Sequence, residues 1–172
     1  IGCEVYVATR TRFDKVNKID GNNHLILLCK NETGYKNLIK IVSLSSIEGF
    51  YSKPRADMEL LEKYHEGLIA LSACLAGEIP KRLLMSDYDG AKKTALRYLD
   101  IFGEGNFYLE VQDHGLPQQQ NHNTGGGFGI QHENLLFRVL GQHKLTGRHG
   151  SVVGAGEVGG NGHADGFLSL LK

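Results

Sequence analysis

The sequence predicts an α/β fold with a largely parallel sheet, and three observations carry that reading. Short β-branched or aromatic runs alternate with amphipathic stretches as far as residue 120. One of those runs, His24 to Cys29 (HLILLC), is apolar on consecutive positions, the pattern of a strand covered on both faces. Composition then changes: of 23 glycines, 10 lie in residues 1–120 and 13 in the last 52, so the ordered elements are expected in the first part.

Cys3 to Ala8 (CEVYVA) reads as the first strand, and the basic stretch Thr9 to Asn23, which ends near the Asp20-Gly21 turn pair, as a surface loop. His24 to Cys29 is the second strand. Thr33 is a plausible N-cap for a helix that places Leu38, Ile41 or Val42, and Ser45 or Ser46 at helical spacing and stops at Gly49. The linker FYSKPRAD leads to Asp57, an N-cap for a short helix through Tyr64 that Gly67 ends. Gly67 to Ser72 is a third strand. Leu75 to Met85 reads as a helix in which Pro80 predicts a bend or break. Ser86 or Asp87 caps a longer helix whose apolar stripe is Ala91, Ala95, Tyr98, Leu99 and Phe102, and Phe107 to Val111 is the fourth strand. In folds of this class functional groups gather where strands end and loops begin.

Composition excludes several classes. Lys plus Arg is 19 and Asp plus Glu is 19, so no global field favours nucleic acid or an anionic membrane surface. Three cysteines without a CxxC pair argue against a disulfide framework or a cysteine zinc finger, and no apolar run approaches the roughly 20 residues of a membrane span. The expected setting is a reducing, cytoplasmic compartment. The first residue is Ile, followed at once by strand-like sequence with no signal-peptide pattern, which reads as a fragment.

The runs IGCEVYVA, NHLILLCKNETGYKNLIKIVS, EGFYSKPRADMELLEKYHEGLIALSACLAGEIP and FYLEVQDHGLPQQ resemble the PHP (polymerase and histidinol phosphatase) domain, in the form carried by bacterial replicative DNA polymerase III alpha subunits. The resemblance covers residues 1 to about 120. It implies part of a distorted (β/α) barrel with a metal site at the strand C-termini. Glu4, His24 and Cys74 match family ligand positions. Carboxylate, imidazole and thiolate donors suit Zn, Mn or Fe, the thiolate favouring Zn or Fe over Mg. Taken singly, a Glu, a His or a Cys beside a strand reads as structural or solvated; Cys74 at least follows an apolar strand directly, whereas His24 begins its strand, an awkward place for such a site.

The resemblance further implies a parent polymerase that uses Mg on a separate domain. Primer-template DNA, a proofreading exonuclease subunit and the sliding clamp are the implied partners. The PHP domain itself is expected to be a 3′ to 5′ exonuclease or a structural element. The alternatives are a stand-alone PHP phosphoesterase and a catalytically silent interaction platform. The family's HxH motif would precede Ile1, and its closing DxH pair has no match downstream, where only the reversed His163-Ala164-Asp165 occurs. The fragment alone is therefore expected to be inactive.

Lys53 and Arg55 in SKPR are candidate phosphate ligands, and Asp113-His114 reads as structural. Residues 121–172 hold five of the eight histidines and too few apolar residues to offset glycine's ordering entropy, so a poorly ordered tail is expected, with a reading-frame shift near Gln118 to Asn121 or a divergent terminus as its origin. Its formal GxGxxG from Gly154 to Gly159 lacks the following helix and is not read as a dinucleotide site.

Overall fold

The computed structural model describes residues 1–112 and two further strands, Leu136–Leu140 and Gly156–Glu157. In chain order the elements are β1 (Gly2–Ala8), β2 (Asn22–Cys29), α1 (Glu32–Ile47), β3 (Arg55–Ala56), α2 (Met58–Tyr64), β4 (Leu68–Leu71), α3 (Glu78–Leu84), α4 (Tyr88–Phe102), β5 (Phe107–Gln112), β6 (Leu136–Leu140) and β7 (Gly156–Glu157). The strands form one sheet in the order β3-β1-β2-β4-β5-β6-β7, which does not close on itself among the described residues. The fold is thus α/β and barrel-like only in part, as expected.

The sheet is mixed rather than largely parallel. β1 pairs parallel with β3, and β4 with β5, but β2 runs antiparallel to both of its neighbours, β1 and β4. The reason lies in the connection: residues 9–21 contain no helix, and without a crossover element successive neighbouring strands return antiparallel.

Alternate residues of the strands supply one packed face. Val5, Val7, Leu25, Leu27, Leu68, Ala70, Phe107 and Leu109 form a single core with Leu38 and Ile41 of α1, Leu60 and Leu61 of α2, and Ala91, Ala95, Tyr98 and Phe102 of α4. The other face carries Glu4, Tyr6, His24, Ile26 and Leu28 and is only partly covered.

Local chemistry explains the helix boundaries. Asn31 rather than Thr33 caps α1: its backbone is extended and its side-chain oxygen accepts from the Gly34 N–H. The side chains of Asp57 and Asp87 cap α2 and α4 by accepting from the N–H groups of Leu60 and Gly90, as their sequence positions predict. α3 begins only after Gly77, so Pro80 falls in its first turn, where an N–H has no intrahelical partner to lose, and no break occurs. Gly34 at the start of α1 packs against the carbonyl of Gly67, which has φ +75°; a Cβ on Gly34 would collide with that oxygen. The two-residue β3 escapes periodicity analysis because nothing so short has a period.

Asp113-His114, His163, Asp165 and most of residues 121–172 lie outside the described residues, as does the GxGxxG run apart from Gly156 and Glu157 in β7. The two strands that do come from the glycine-rich segment pair β6 parallel to β5 and β7 antiparallel to β6.

Candidate metal centre

The reversed direction of β2 builds the site. Because β2 is antiparallel, its first residues lie at the same end of the sheet as the last residues of β1 and β4, so the position of His24 fits a site at that end after all. Tyr6 pairs with His24 and Glu4 with Ile26, which puts Glu4, Tyr6 and His24 on one face. Glu4 Oε1 lies 2.5 Å from His24 Nδ1.

Cys74 arrives from the neighbouring strand. β4 leaves the sheet after Leu71, and the segment 72–77 folds over the start of β2: the His24 N–H donates to the Ala76 carbonyl at 3.0 Å, and the Gly77 N–H to the Cys74 carbonyl at 2.8 Å. Gly77 lies so close to the Ser72 carbonyl that a Cβ there would collide with it. The turn brings Cys74 Sγ to 3.5 Å from the same His24 Nδ1. One ligand atom from each of Glu4, His24 and Cys74 lies within 4.8 Å of the other two, close enough to share a cation. A carboxylate, an imidazole and a thiol form a mixed hard and borderline-soft donor set, which suits Zn or Fe. Glu4 is exposed and the other two half-buried, so an ion here would remain accessible.

Two neighbours complete the setting. The Tyr6 ring meets the His24 imidazole edge-on, with centroids 5.0 Å apart. Lys81 of α3 donates to the Asn22 carbonyl and to Asn23 Oδ1, both at 2.8 Å. Burial pushes the Lys81 pKa down, opposed by attraction to Cys74 and Glu78. Tyr6 has a sequence signal, its two-residue spacing from Glu4 on a strand; Lys81 has none, since α3 meets β2 only in the tertiary fold.

The two SKPR residues part company. Arg55 is fully buried: its Nε donates to the Gly49 carbonyl at 3.2 Å, and its Nη2 to the carbonyls of Arg12 at 3.2 Å and Asp14 at 2.7 Å. It fastens the 9–21 loop to β3, so the expectation that it meets a phosphate does not match its position. Lys53 is exposed, with Nζ 2.9 Å from the Tyr6 hydroxyl.

The geometry is that of an α/β domain whose sheet face gathers a Glu-His-Cys group able to hold a metal ion. The match is more particular than that. The PHP domain family model covers residues 1–114, and the chain belongs to that family, which is metal-dependent. The chain is 50% identical to the DNA polymerase III subunit alpha of Treponema pallidum (strain Nichols) over 122 residues, 70% of this chain and 10% of that protein. It is 52% identical to the subunit of the same name from Chlamydia muridarum (strain MoPn / Nigg) over 122 residues, again 70% and 10%. For the one from Thermus aquaticus the figures are 47% over 126 residues, 72% and 10%. The chain thus spans a tenth of the length of these curated relatives. Among the described residues no helix is long and apolar enough to cross a membrane.

Proposed function

We propose that this chain is part of a DNA polymerase III alpha subunit, acting in DNA-templated DNA synthesis during chromosome replication. We further propose that Glu4, His24 and Cys74 hold one divalent ion of its PHP domain. The observation that supports the reading is that three ligand-type residues, far apart in the chain, converge within 4.8 Å inside the region of 47 to 52% identity. The thiolate makes Zn or Fe the better fit, with Mn next. When bound, such an ion supplies Lewis acidity toward a phosphoryl group. The protein's own part is positional: the β1 and β2 pairing sets Glu4 against His24, and the 72–77 turn delivers Cys74.

In this reading the polymerase chemistry and its Mg ions belong to other parts of the subunit, and primer-template DNA, a proofreading exonuclease subunit and the sliding clamp are partners of the whole, in the cytoplasm. A set of three protein donors also suits a PHP domain retained as a structural platform; metal content separates the two, and a stand-alone phosphoesterase would show a short reading frame around the gene.

Calorimetric titration of the chain with Zn and with Mn tests the site. One Zn per chain is expected, tighter than Mn, with the Zn affinity lowered by Cys74→Ser and by His24→Ala. Binding that neither substitution weakens, or no binding, refutes the assignment. Sequencing the gene beyond both ends of this chain tests the parent: a polymerase-sized reading frame is expected.

A further inference from the structure

An exposed cation beside the candidate metal centre has a phenol oxygen as its partner. Arg10, Arg12, Lys36, Arg82 and Arg97 each pair with a carboxylate. Lys53 instead donates to the Tyr6 hydroxyl at 2.9 Å, and its ammonium stands 4.6 Å from the centre of the same ring. Tyr6 in turn abuts His24. Lys53, Tyr6, His24 and Glu4 therefore form one continuous line across the open face of the sheet.

The backbone bends sharply just before Lys53 and just before Cys74. Four non-glycine residues of the described region have positive φ, and two of them, Ser52 (59°) and Ala73 (61°), immediately precede Lys53 and Cys74. Left-handed backbone at such residues is costly and persists only where the surroundings impose it. At Ser52 it closes a tight turn in which the Tyr51 N–H donates to the Lys53 carbonyl at 3.0 Å, turning the lysine back toward Tyr6.

We propose that Tyr6 and Lys53 are positioning residues that hold a phosphoryl oxygen of an anionic ligand next to the Glu4, His24 and Cys74 group. The chemistry follows from the hydrogen-bond inventory. A lysine ammonium has three donors and spends one on the phenol oxygen; a phenol that accepts from lysine keeps its own O–H for an outside acceptor. The pair thus presents donors and a positive charge on the same side as the metal ligands. An anion bridging the two would be held by charge-assisted hydrogen bonds at one end and by the ion at the other. This inference rests on the metal reading proposed above.

The test uses the whole chain, loaded with Zn, and inorganic phosphate as the probe. Phosphate binding is read by calorimetry and by tyrosine fluorescence, which the absence of tryptophan leaves unobscured. Lys53→Met is expected to weaken phosphate binding ~10-fold and Tyr6→Phe roughly 5-fold, while Lys53→Arg keeps most of it. Zn stoichiometry and the far-UV spectrum, measured on the same samples, should be unchanged by all three substitutions. Phosphate binding unaltered in Lys53→Met, or absent from the Zn-loaded chain, overturns the inference and leaves the metal site standing. Failure of Zn to bind removes both readings, and the separate Zn titration identifies that case.

Discussion

Asp57→Ala probes how the loop beneath the site is anchored. Asp57 caps α2 by accepting from the Leu60 N–H at 3.1 Å, and the same carboxylate accepts from the Arg12 N–H at 2.9 Å and from Arg12 Nη1 at 3.0 Å. Its side chain is 3% exposed and that of Arg12 8%. Loss of the cap costs about 1 kcal/mol. Breaking a buried ion pair costs about 3 to 5 kcal/mol when the surviving charge has no other partner. Arg12 retains Glu48 at 2.6 Å and Glu59 at 3.0 Å, which reduces the second figure by half or more. The expected total is about 3 kcal/mol, a fall in urea midpoint of roughly 1.5 M if the slope is about 2 kcal/mol/M. Urea unfolding followed by far-UV circular dichroism measures it. Asp57→Asn, which keeps an oxygen for the cap, should lose about half as much, and in an Arg12→Met background Asp57→Ala should cost only the cap and the hydrogen bond from the backbone N–H of residue 12, about 2 kcal/mol. A loss below about 1 kcal/mol in the wild-type background, or the same loss in both backgrounds, would refute the coupling.

Further outcomes follow from the same structure. Asp20, hydrogen-bonded by Arg10 and by the Val16 N–H, has its pKa lowered to about 2; a depressed folded-state value means stability is complete above the unfolded carboxylate pKa of about 3.8 and is lost as pH falls toward 2, so melting midpoints of Asp20→Asn should vary less than wild type across that window. Gly34→Ala should destabilise by about 2 kcal/mol or more through collision with the Gly67 carbonyl, whereas Gly21→Ala, where the added methyl meets only Thr9 Oγ1 at 3.5 Å, should be near neutral; equal urea midpoints would contradict the packing argument. In a Cys3→Ser, Cys29→Ser background, Zn should slow the reaction of Cys74 with a disulfide reagent at least ~10-fold, because metal ligation ties up the thiolate. An unchanged rate at saturating Zn would remove Cys74 from the ligand set.

Much of the fold is legible in the sequence because it depends on short-range chemistry. Asp57 and Asp87 cap helices wherever their neighbours are helical, and the stripe from Ala91 to Phe102 repeats at the helical period. Where local signals compete the reading shifts: Asn31 takes the cap from Thr33, and Pro80 becomes a first-turn residue because α3 starts later than its apolar pattern suggests. Lys53 and Arg55 share one motif, yet a period of two sends adjacent odd positions nowhere predictable at a two-residue strand. Burial of Arg55 depends on the carbonyl of nearby Gly49 together with those of Arg12 and Asp14, which no window around Arg55 contains.

The sequence by itself determined most of the strands and helices of the first 112 residues and the starts of α2 and α4, and family resemblance singled out Glu4, His24 and Cys74 as candidate ligands. Only the tertiary structure decided how they meet. Strand direction depends on whether the chain can return through a helix or must return through a loop, and the helix-free segment 9–21 turns β2 around, so that a histidine at the start of one strand faces a glutamate within another and a cysteine beyond the end of a third.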